Sequence, residues 1–176
     1  EISACLVGSE MCIRDSSYWS SWSNGFNIWK SEFDKIDKNL KLNKLFPHTS
    51  LFLTQHQAKL FCINDNLLFD VQRIPKRGGH NKFEAFTIEY PSLLDECCKK
   101  GHISTKCKKH ILFGIMVQFL PSLLFNKYII RIETFDDTGF RDNLKKYYPS
   151  YAYWLVLISV LGVPFRLFCR KLKNKR

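Results

Sequence analysis

The sequence predicts an α+β protein in which an amphipathic helix precedes a β-rich, sandwich-like domain and one transmembrane helix follows it. Short apolar runs separated by turn residues fill residues 47–143, a pattern that is typical of strands. Residues 17–46 place apolar residues at helical intervals among charged ones, which indicates a helical segment. Residues 147–165 carry no charge and are followed by a basic tail, residues 166–176.

The first sixteen residues read as translated sequencing adapter rather than as protein. Met11 to Asp15 back-translates to the mosaic end used in transposase-based library preparation, and Leu6 to Glu10 fits the adapter stretch that precedes it. A secretory leader fits poorly, because the segment has no basic start, no sustained apolar core and no small-residue cleavage site. We therefore expect the natural sequence to begin near Ser17, with the true N-terminus missing.

The charge of the chain points to a class of partner. The net charge is +11 over 176 residues, and a chain of this length suits one domain with a modest core. Nucleic acid, an anionic membrane and an acidic partner all attract a basic protein, and the position of the charge separates them. Here the basic tail directly follows the longest uncharged run, which favours a lipid bilayer and argues against nucleic acid.

The nineteen uncharged residues 147–165 predict a membrane-spanning helix. At about 1.5 Å per residue this helix is roughly 28 Å long, close to the thickness of the hydrocarbon core of a bilayer. Aromatic side chains gather at its start, where amphipathic rings prefer the membrane interface, and basic side chains gather at its end. The residues expected to anchor the chain are Tyr147, Tyr151, Trp154, Leu155, Leu157, Val160, Phe165, Arg166 and Arg170.

The same run predicts a shape and a direction. Pro149 fits a first helical turn, whereas Pro164 should kink or end the helix. Because basic residues prefer the cytosolic side, the tail is expected in the cytosol and residues 17–143 in the lumen or outside the cell. A buried core helix is the alternative, since the run is only just long enough to span.

Upstream, an amphipathic helix is predicted over residues 27–46. Trp29, Phe33, Ile36 and Leu40 recur at intervals of four, three and four residues, with charged residues between them. Such a helix is expected to cover a sheet, and a surface helix on a membrane or a partner is the alternative.

From residue 51 onward the pattern changes to short strands. Two apolar runs flank the turn cluster Asn64-Asp65-Asn66, which predicts a hairpin. The apolar run 111–120 ends at Pro121, which favours a core strand over the first half of a membrane hairpin. We find no internal repeat. The predicted strands are 51–54, 59–63, 67–71, 85–90, 111–120 and 129–135.

Cysteines and histidines form one further pattern, C-x3-H-x4-C-x2-H. Four such side chains could together hold a tetrahedral zinc ion. The spacing matches no zinc module, and the surrounding lysines favour a solvated loop with one disulfide. If the compartment is oxidising, two disulfides could form among four cysteines: Cys62, Cys97, Cys98 and Cys107. The four candidate zinc ligands are Cys98, His102, Cys107 and His110.

No catalytic motif is present in the sequence. The chain has no Gly-rich phosphate loop, no Ser elbow and no paired His on a helix with Glu. Asp136-Asp137 before Thr138-Gly139 fits a turn better than an acid pair. We therefore predict a non-enzymatic protein with no cofactor and no small-molecule substrate.

Two parts of the chain carry a family resemblance. One is the strand, Pro, strand, basic-strand series of residues 82–91, 110–119 and 129–133. The other is the C-terminal part from Gly139-Phe140 to residues 165–168. Both resemble the ciliary transition-zone transmembrane protein of the tectonic-like (Meckel syndrome) complex. That resemblance implies a β-rich outer domain at the ciliary membrane, other membrane-complex subunits as partners, and a role in ciliogenesis and the membrane diffusion barrier.

A second resemblance gives an alternative. Thr138-Gly-Phe-Arg141, Leu144 and Pro149 are similar to the segment that joins the lumenal domain of seipin to its second span. This implies a lipid-droplet protein of the endoplasmic reticulum membrane. A small zinc-binding domain on a membrane or nucleic acid is the third possibility. In the first two cases the domain would present strand edges and apolar patches to partner subunits while the span fixes it in one membrane.

Overall fold

The protein is mostly helical in the part of the chain that the computed structural model describes. It divides into two compact units: the first holds the described residues up to 63 together with residues 92–111, and the second holds residues 81–91 and 112–173. The described residues are 5–7, 28–38, 40–54, 61–63 and 81–173.

Seven helices and two strands make up these residues. The strands β1 (Cys5–Val7) and β2 (Phe61–Ile63) pair antiparallel, with Cys5 opposite Ile63, and they are the only strands among the described residues. The helices are α1 (Lys30–Phe33), α2 (Pro47–Thr54), α3 (82–99), α4 (Thr105–Ile129), α5 (Phe140–Tyr147), α6 (Ala152–Leu161) and α7 (Val163–Lys173).

The predicted β-rich sandwich is wrong. Of its strands, 51–54 lies in α2, 85–90 lies in α3 and 111–120 lies in α4. Residues 129–135 run from the end of α4 into a loop without a sheet partner among the described residues. A short run of alternating apolar and polar residues was misleading, because it also places apolar residues four positions apart, which is the spacing of one helix face. Phe86 and Tyr90 show this: their rings stack on one face of α3 with centroids 5.6 Å apart.

Two other upstream predictions are met only in part of their ranges. Among the described residues of the helix predicted over 27–46, Lys30–Phe33 are helical and the others are not. Lys35, just after this turn, pairs with Glu32 at 2.7 Å. The run 59–63 contains β2, but this strand pairs with β1, inside the first sixteen residues. Its predicted hairpin partner, residues 67–71, lies outside the described residues.

In the first unit, local hydrogen bonds explain where the helices begin and end. The Asn43 side chain accepts from the backbone amides of Leu45 and Phe46, at 2.9 and 3.0 Å, just before α2. Gly101 ends α3 with φ +75°, and the amide of the next residue donates to the carbonyl of Cys97 at 2.9 Å. Ser104 then caps α4, because its Oγ accepts from the amide of Cys107 at 3.1 Å.

The second unit has an aromatic core. The buried ring of Phe83 packs against Phe135 and Phe140, with centroid distances of 5.3 and 4.6 Å. Phe86 and Phe119 lie 4.2 Å apart in the same core, which joins α3 to α4. Aromatic pairs of this kind contribute about 0.5–1.5 kcal/mol beyond the burial of their area. Helix α5 packs on the start of α3, and α6 packs on the middle of α4.

Both long helices widen into π-helical turns just before a proline. Residues Ala85–Glu89 of α3 precede Pro91, and Ile115–Phe119 of α4 precede Pro121. Each proline opens the same tetrapeptide, Pro-Ser-Leu-Leu. Proline normally breaks a helix because it lacks an N–H and its ring meets the carbonyl four residues earlier. The wider turn moves that carbonyl aside, so α4 continues without a break from Thr105 to Ile129.

A charged cluster lies between the end of α4 and the start of α5. Lys127 Nζ donates to Asp137 Oδ1 at 2.6 Å and to the carbonyl of Phe135 at 2.7 Å, and the Tyr128 hydroxyl donates to the same carboxylate. Burial by itself would raise the pKa of Asp137, but these donated hydrogen bonds hold that pKa below its usual value. Gly139, with φ +75°, then starts α5.

Candidate membrane-facing surface

The predicted anchor run, residues 147–165, is not one straight helix. Tyr147 ends α5, α6 begins only at Ala152, and α6 and α7 meet at Gly162 with a bend of 48°. The expected kink at Pro164 is therefore found two residues earlier, and Pro164 occupies the first turn of α7, where a missing N–H costs nothing. Together α6 and the first part of α7 are long and apolar enough for one bent membrane span.

One face of α6 and α7 is apolar and exposed. Trp154 is 60% exposed, Ile158 64%, Leu161 81%, Phe165 70% and Phe168 60%. These five residues follow one another at intervals of four, three, four and three, so they form a single line along both helices. We call this line the C-terminal stripe. Soluble proteins rarely expose a contiguous apolar surface of this kind unless it contacts a partner or a membrane.

The opposite side of α6 is buried in the second unit. Ala152 and Val156 are 1% and 0% exposed, and α6 packs through this side on residues 115–124 of α4. Between the two sides, the predicted anchor residues Leu155, Leu157 and Val160 are half-buried. Helix α6 therefore has one side fixed by protein contacts and another free to meet lipid.

The remaining predicted anchor residues lie at the two ends of this surface. Tyr147 is half-buried at the end of α5, whereas Tyr151 is exposed beside the start of α6. Tyr148, one of the aromatic residues expected at the membrane interface, is instead buried and donates its hydroxyl proton to the carbonyl of Phe86 at 2.8 Å. Arg170 continues α7, and its side chain lies outside the described part of the structure.

Arg166, at the basic end of the run, makes hydrogen bonds that connect three helices. Its Nη1 donates to the backbone carbonyl of Val117 at 2.6 Å, and its Nη2 donates to the carbonyl of Ser159 at 3.3 Å. The guanidinium thus links α7 to the middle of α4 and to the last turn of α6. An arginine is suited to this contact because its planar fork donates two hydrogen bonds in a fixed geometry.

The carbonyl of Val117 is available because of Pro121. In an ordinary α-helix the amide of residue 121 would donate to the carbonyl of residue 117, but proline has no N–H. Arg166 supplies a donor in its place. The contact is part-buried, and a fully buried carbonyl without a donor would cost about 1–3 kcal/mol, so this bond stabilises the widened turn of α4 by up to that amount.

The structure also contains a continuous helix where the sequence analysis favoured a core strand over the first half of a membrane hairpin. Helix α4 is 25 residues long, and by length and composition it can cross a membrane. Its misassignment as a strand came from treating Pro121 as an end. The signal for a longer element was present, since residues 110–126 contain no Asp, Glu, Lys or Arg and the Pro-Ser-Leu-Leu of α3 recurs within them.

The candidate zinc ligands are not brought together. Cys98 lies in the last turn of α3 and His102 in the turn that follows, while Cys107 is buried in α4 and His110 is exposed on it. Within the described ranges, no group of three or more His, Cys, Asp or Glu residues is placed to hold a metal ion.

The cysteines of the first unit are thiols rather than disulfides where the structure describes them, namely Cys97, Cys98 and Cys107. Burial raises the pKa of Cys97 to about 12. The Cys98 thiol instead lies 3.7 Å from the carbonyl oxygen of Ser104. A thiol with so high a pKa is protonated at neutral pH and unreactive, so Cys97 fits a packing role.

The chain matches no protein-family model, no curated protein and no solved structure. Its candidate surface is therefore interpreted from its own residues and their contacts.

Proposed function

We propose that this chain is a non-enzymatic, membrane-anchored protein whose C-terminal stripe lies in the lipid bilayer. The observation that carries this proposal is the line of exposed apolar side chains on α6 and α7. In water this line would leave five large apolar side chains hydrated, whereas burial of each in lipid is favourable by about 1.5–3 kcal/mol.

The ends of the stripe support the same assignment. Tyr151 and Trp154 stand at its start, and amphipathic aromatic rings prefer the membrane interface. Residues 170–176, beyond its end, carry five basic side chains and no acidic one. Basic residues in this position bind the anionic cytosolic leaflet at about 1 kcal/mol each. A bilayer accounts for both ends, whereas an ordinary soluble partner would account only for the apolar middle.

The role proposed for the rest of the chain is assembly with other membrane subunits. The helical units replace the predicted sandwich as the part that partners contact, because the described residues contain no sheet edge beyond β1 and β2. The ciliary transition zone and the endoplasmic reticulum remain the two predicted locations. Co-localisation of the tagged full-length product with a marker of the ciliary base or of the endoplasmic reticulum decides between them.

Extraction of isolated membranes with alkaline carbonate tests the anchor. The wild-type chain should stay with the membrane, and a larger fraction of the Ile158→Glu, Phe165→Glu chain should be extracted, because each buried acid costs about 2.5–3.5 kcal/mol near the centre of a bilayer. The matched control is Trp29→Glu combined with Phe33→Glu, two exposed aromatic positions outside the stripe. Release of the wild-type chain without detergent would contradict the proposal.

A further inference from the structure

We propose that α4 is a second membrane span, which crosses the same bilayer antiparallel to α6 and α7. This inference rests on the proposed membrane anchor. Residues 110–126 of α4 carry no Asp, Glu, Lys or Arg, and Lys109 and Lys127 bracket them. The eighteen-residue rise from Lys109 to Lys127 is about 27 Å, which is close to the hydrocarbon thickness of a bilayer.

The contacts of α4 fix the direction of the pairing. The contacts of α6 cover Ile115–Phe119 and continue into Leu120–Leu124, whereas Arg166, which follows α6, meets Val117. Contacts with the earlier element thus continue further along α4, which is the order of an antiparallel pair. Half of the apolar stretch of α4 is buried within the protein, as expected for a span that has a helix partner on one side and lipid on the other.

Arg166 is compatible with a position inside the membrane because of its two carbonyl acceptors. An arginine in a transmembrane segment is costly and is usually found facing the protein interior, paired with another side chain or with backbone carbonyls. Here the guanidinium meets the carbonyls of Val117 and Ser159. The same contact satisfies a backbone carbonyl that Pro121 leaves without its helical donor, which a bilayer would otherwise penalise.

The distribution of charge gives this hairpin a direction. Lys109 lies about 12 Å along α4 from Val117, and Lys171 lies about 8 Å along α7 from Arg166, so both basic ends emerge on the same side of the membrane. Only Lys and Arg count toward the positive-inside rule. Residues 99–110 and residues 170–176 carry five each, whereas the connecting residues 127–151 carry five in all. The positive-inside rule then places both basic ends in the cytosol and the connection on the opposite side.

This topology reverses the expected location of the upstream residues. A single span put them in an oxidising lumen, whereas a hairpin returns them to the cytosol. Cys97, Cys98 and Cys107, which precede or begin α4, are free thiols, and free thiols are typical of a reducing compartment.

Engineered glycosylation in translation reactions with sealed endoplasmic-reticulum microsomes tests the topology, because the sequence contains no Asn-x-Ser/Thr acceptor. Asp136→Asn creates one at residues 136–138 in the connection, and the new side chain keeps an oxygen for the two Thr138 donors. Lys41→Thr creates one at residues 39–41, upstream of both spans. The matched controls add Thr138→Ala to the first variant and Asn39→Gln to the second.

The hairpin requires a glycan, removable by endoglycosidase, on the Asp136→Asn chain and none on the Lys41→Thr chain. Glycans on both chains would establish a single span and overturn the proposal. A glycan on the Lys41→Thr chain alone would invert the hairpin, and a glycan on neither would exclude it. Carbonate extraction of the same products separates the two proposals, because a chain that resists extraction but carries glycans on both variants or on neither retains the anchor and loses the hairpin. A chain that resists extraction and is glycosylated only at Asn39 keeps two spans and overturns their proposed direction.

Discussion

Replacing Arg166 with methionine should destabilise the second unit, because it removes both hydrogen bonds that hold α7 to α4 and α6. Methionine keeps an unbranched apolar side chain of similar reach, so the change removes donors while it retains much of the packing. The bond to the Val117 carbonyl, at 2.6 Å, is short and charge-assisted, whereas the bond to the Ser159 carbonyl is longer, at 3.3 Å.

The expected loss follows from these two distances. A hydrogen bond to a charged group contributes about 1.5–3 kcal/mol, and the weaker second bond adds about 0.5 kcal/mol. We therefore expect the free energy of unfolding to fall by about 2–3.5 kcal/mol. Most of this loss should come from leaving the part-buried Val117 carbonyl without a donor.

A double-mutant cycle with Pro121→Ala isolates that cause. Alanine restores an N–H at position 121, and this amide can donate to the Val117 carbonyl in place of Arg166. In the Pro121→Ala background, Arg166→Met should therefore cost only about 1 kcal/mol. The coupling between the two positions should exceed 1 kcal/mol, which is well above the deviation from additivity of about 0.3–0.5 kcal/mol found for independent sites.

Denaturant titration of the protein in detergent micelles, followed by far-ultraviolet circular dichroism, measures these differences. Lys146→Met, which removes an exposed cation from α5, is the matched control and should change stability by less than about 0.5 kcal/mol. Equal losses from Arg166→Met in the Pro121 and Pro121→Ala backgrounds would refute the role assigned to the Val117 carbonyl, even if the single variant were strongly destabilised.

Two further predictions concern the second unit outside its spans. Tyr148→Phe should lower the free energy of unfolding by about 1–2 kcal/mol, because the carbonyl of Phe86 loses a buried donor; an unchanged denaturation midpoint would contradict this. Because the pKa of Asp137 is lowered below 3.8, its ion pair with Lys127 should stabilise the fold above pH 3.8 and lose this effect as the pH falls through the lowered value. The stability difference between wild type and Asp137→Asn should then shrink in acid, and a difference that stays constant from pH 6 to pH 2 would oppose the assignment.

The sequence located the surface more successfully than it located the fold. The uncharged run before the basic tail contains four of the five residues of the C-terminal stripe, and the structure includes a helix long and apolar enough to cross a membrane. That continuous helix is α4, however, and the run itself is divided between α5, α6 and α7. Composition reveals where apolar surface is concentrated because it depends only on which residues are neighbours in the chain.

The strand predictions failed because runs of four to ten apolar residues do not distinguish a strand from one side of a buried helix. Pro121 led to the wrong assignment, because a proline considered alone is expected to end a helix or a strand. Its tolerance depends on the widened turn Ile115–Phe119.

The positions of the uncharged runs and of the basic segments around them can be read directly from the sequence. The continuity of α4 through Pro121, and the contact by which Arg166 bonds to it, depend on how the helices pack. The two residues of that contact, Arg166 and Val117, are 49 positions apart. A local pattern contains no information about a hydrogen bond over such a separation, because the donor reaches the carbonyl only after α6 and α7 have packed against α4.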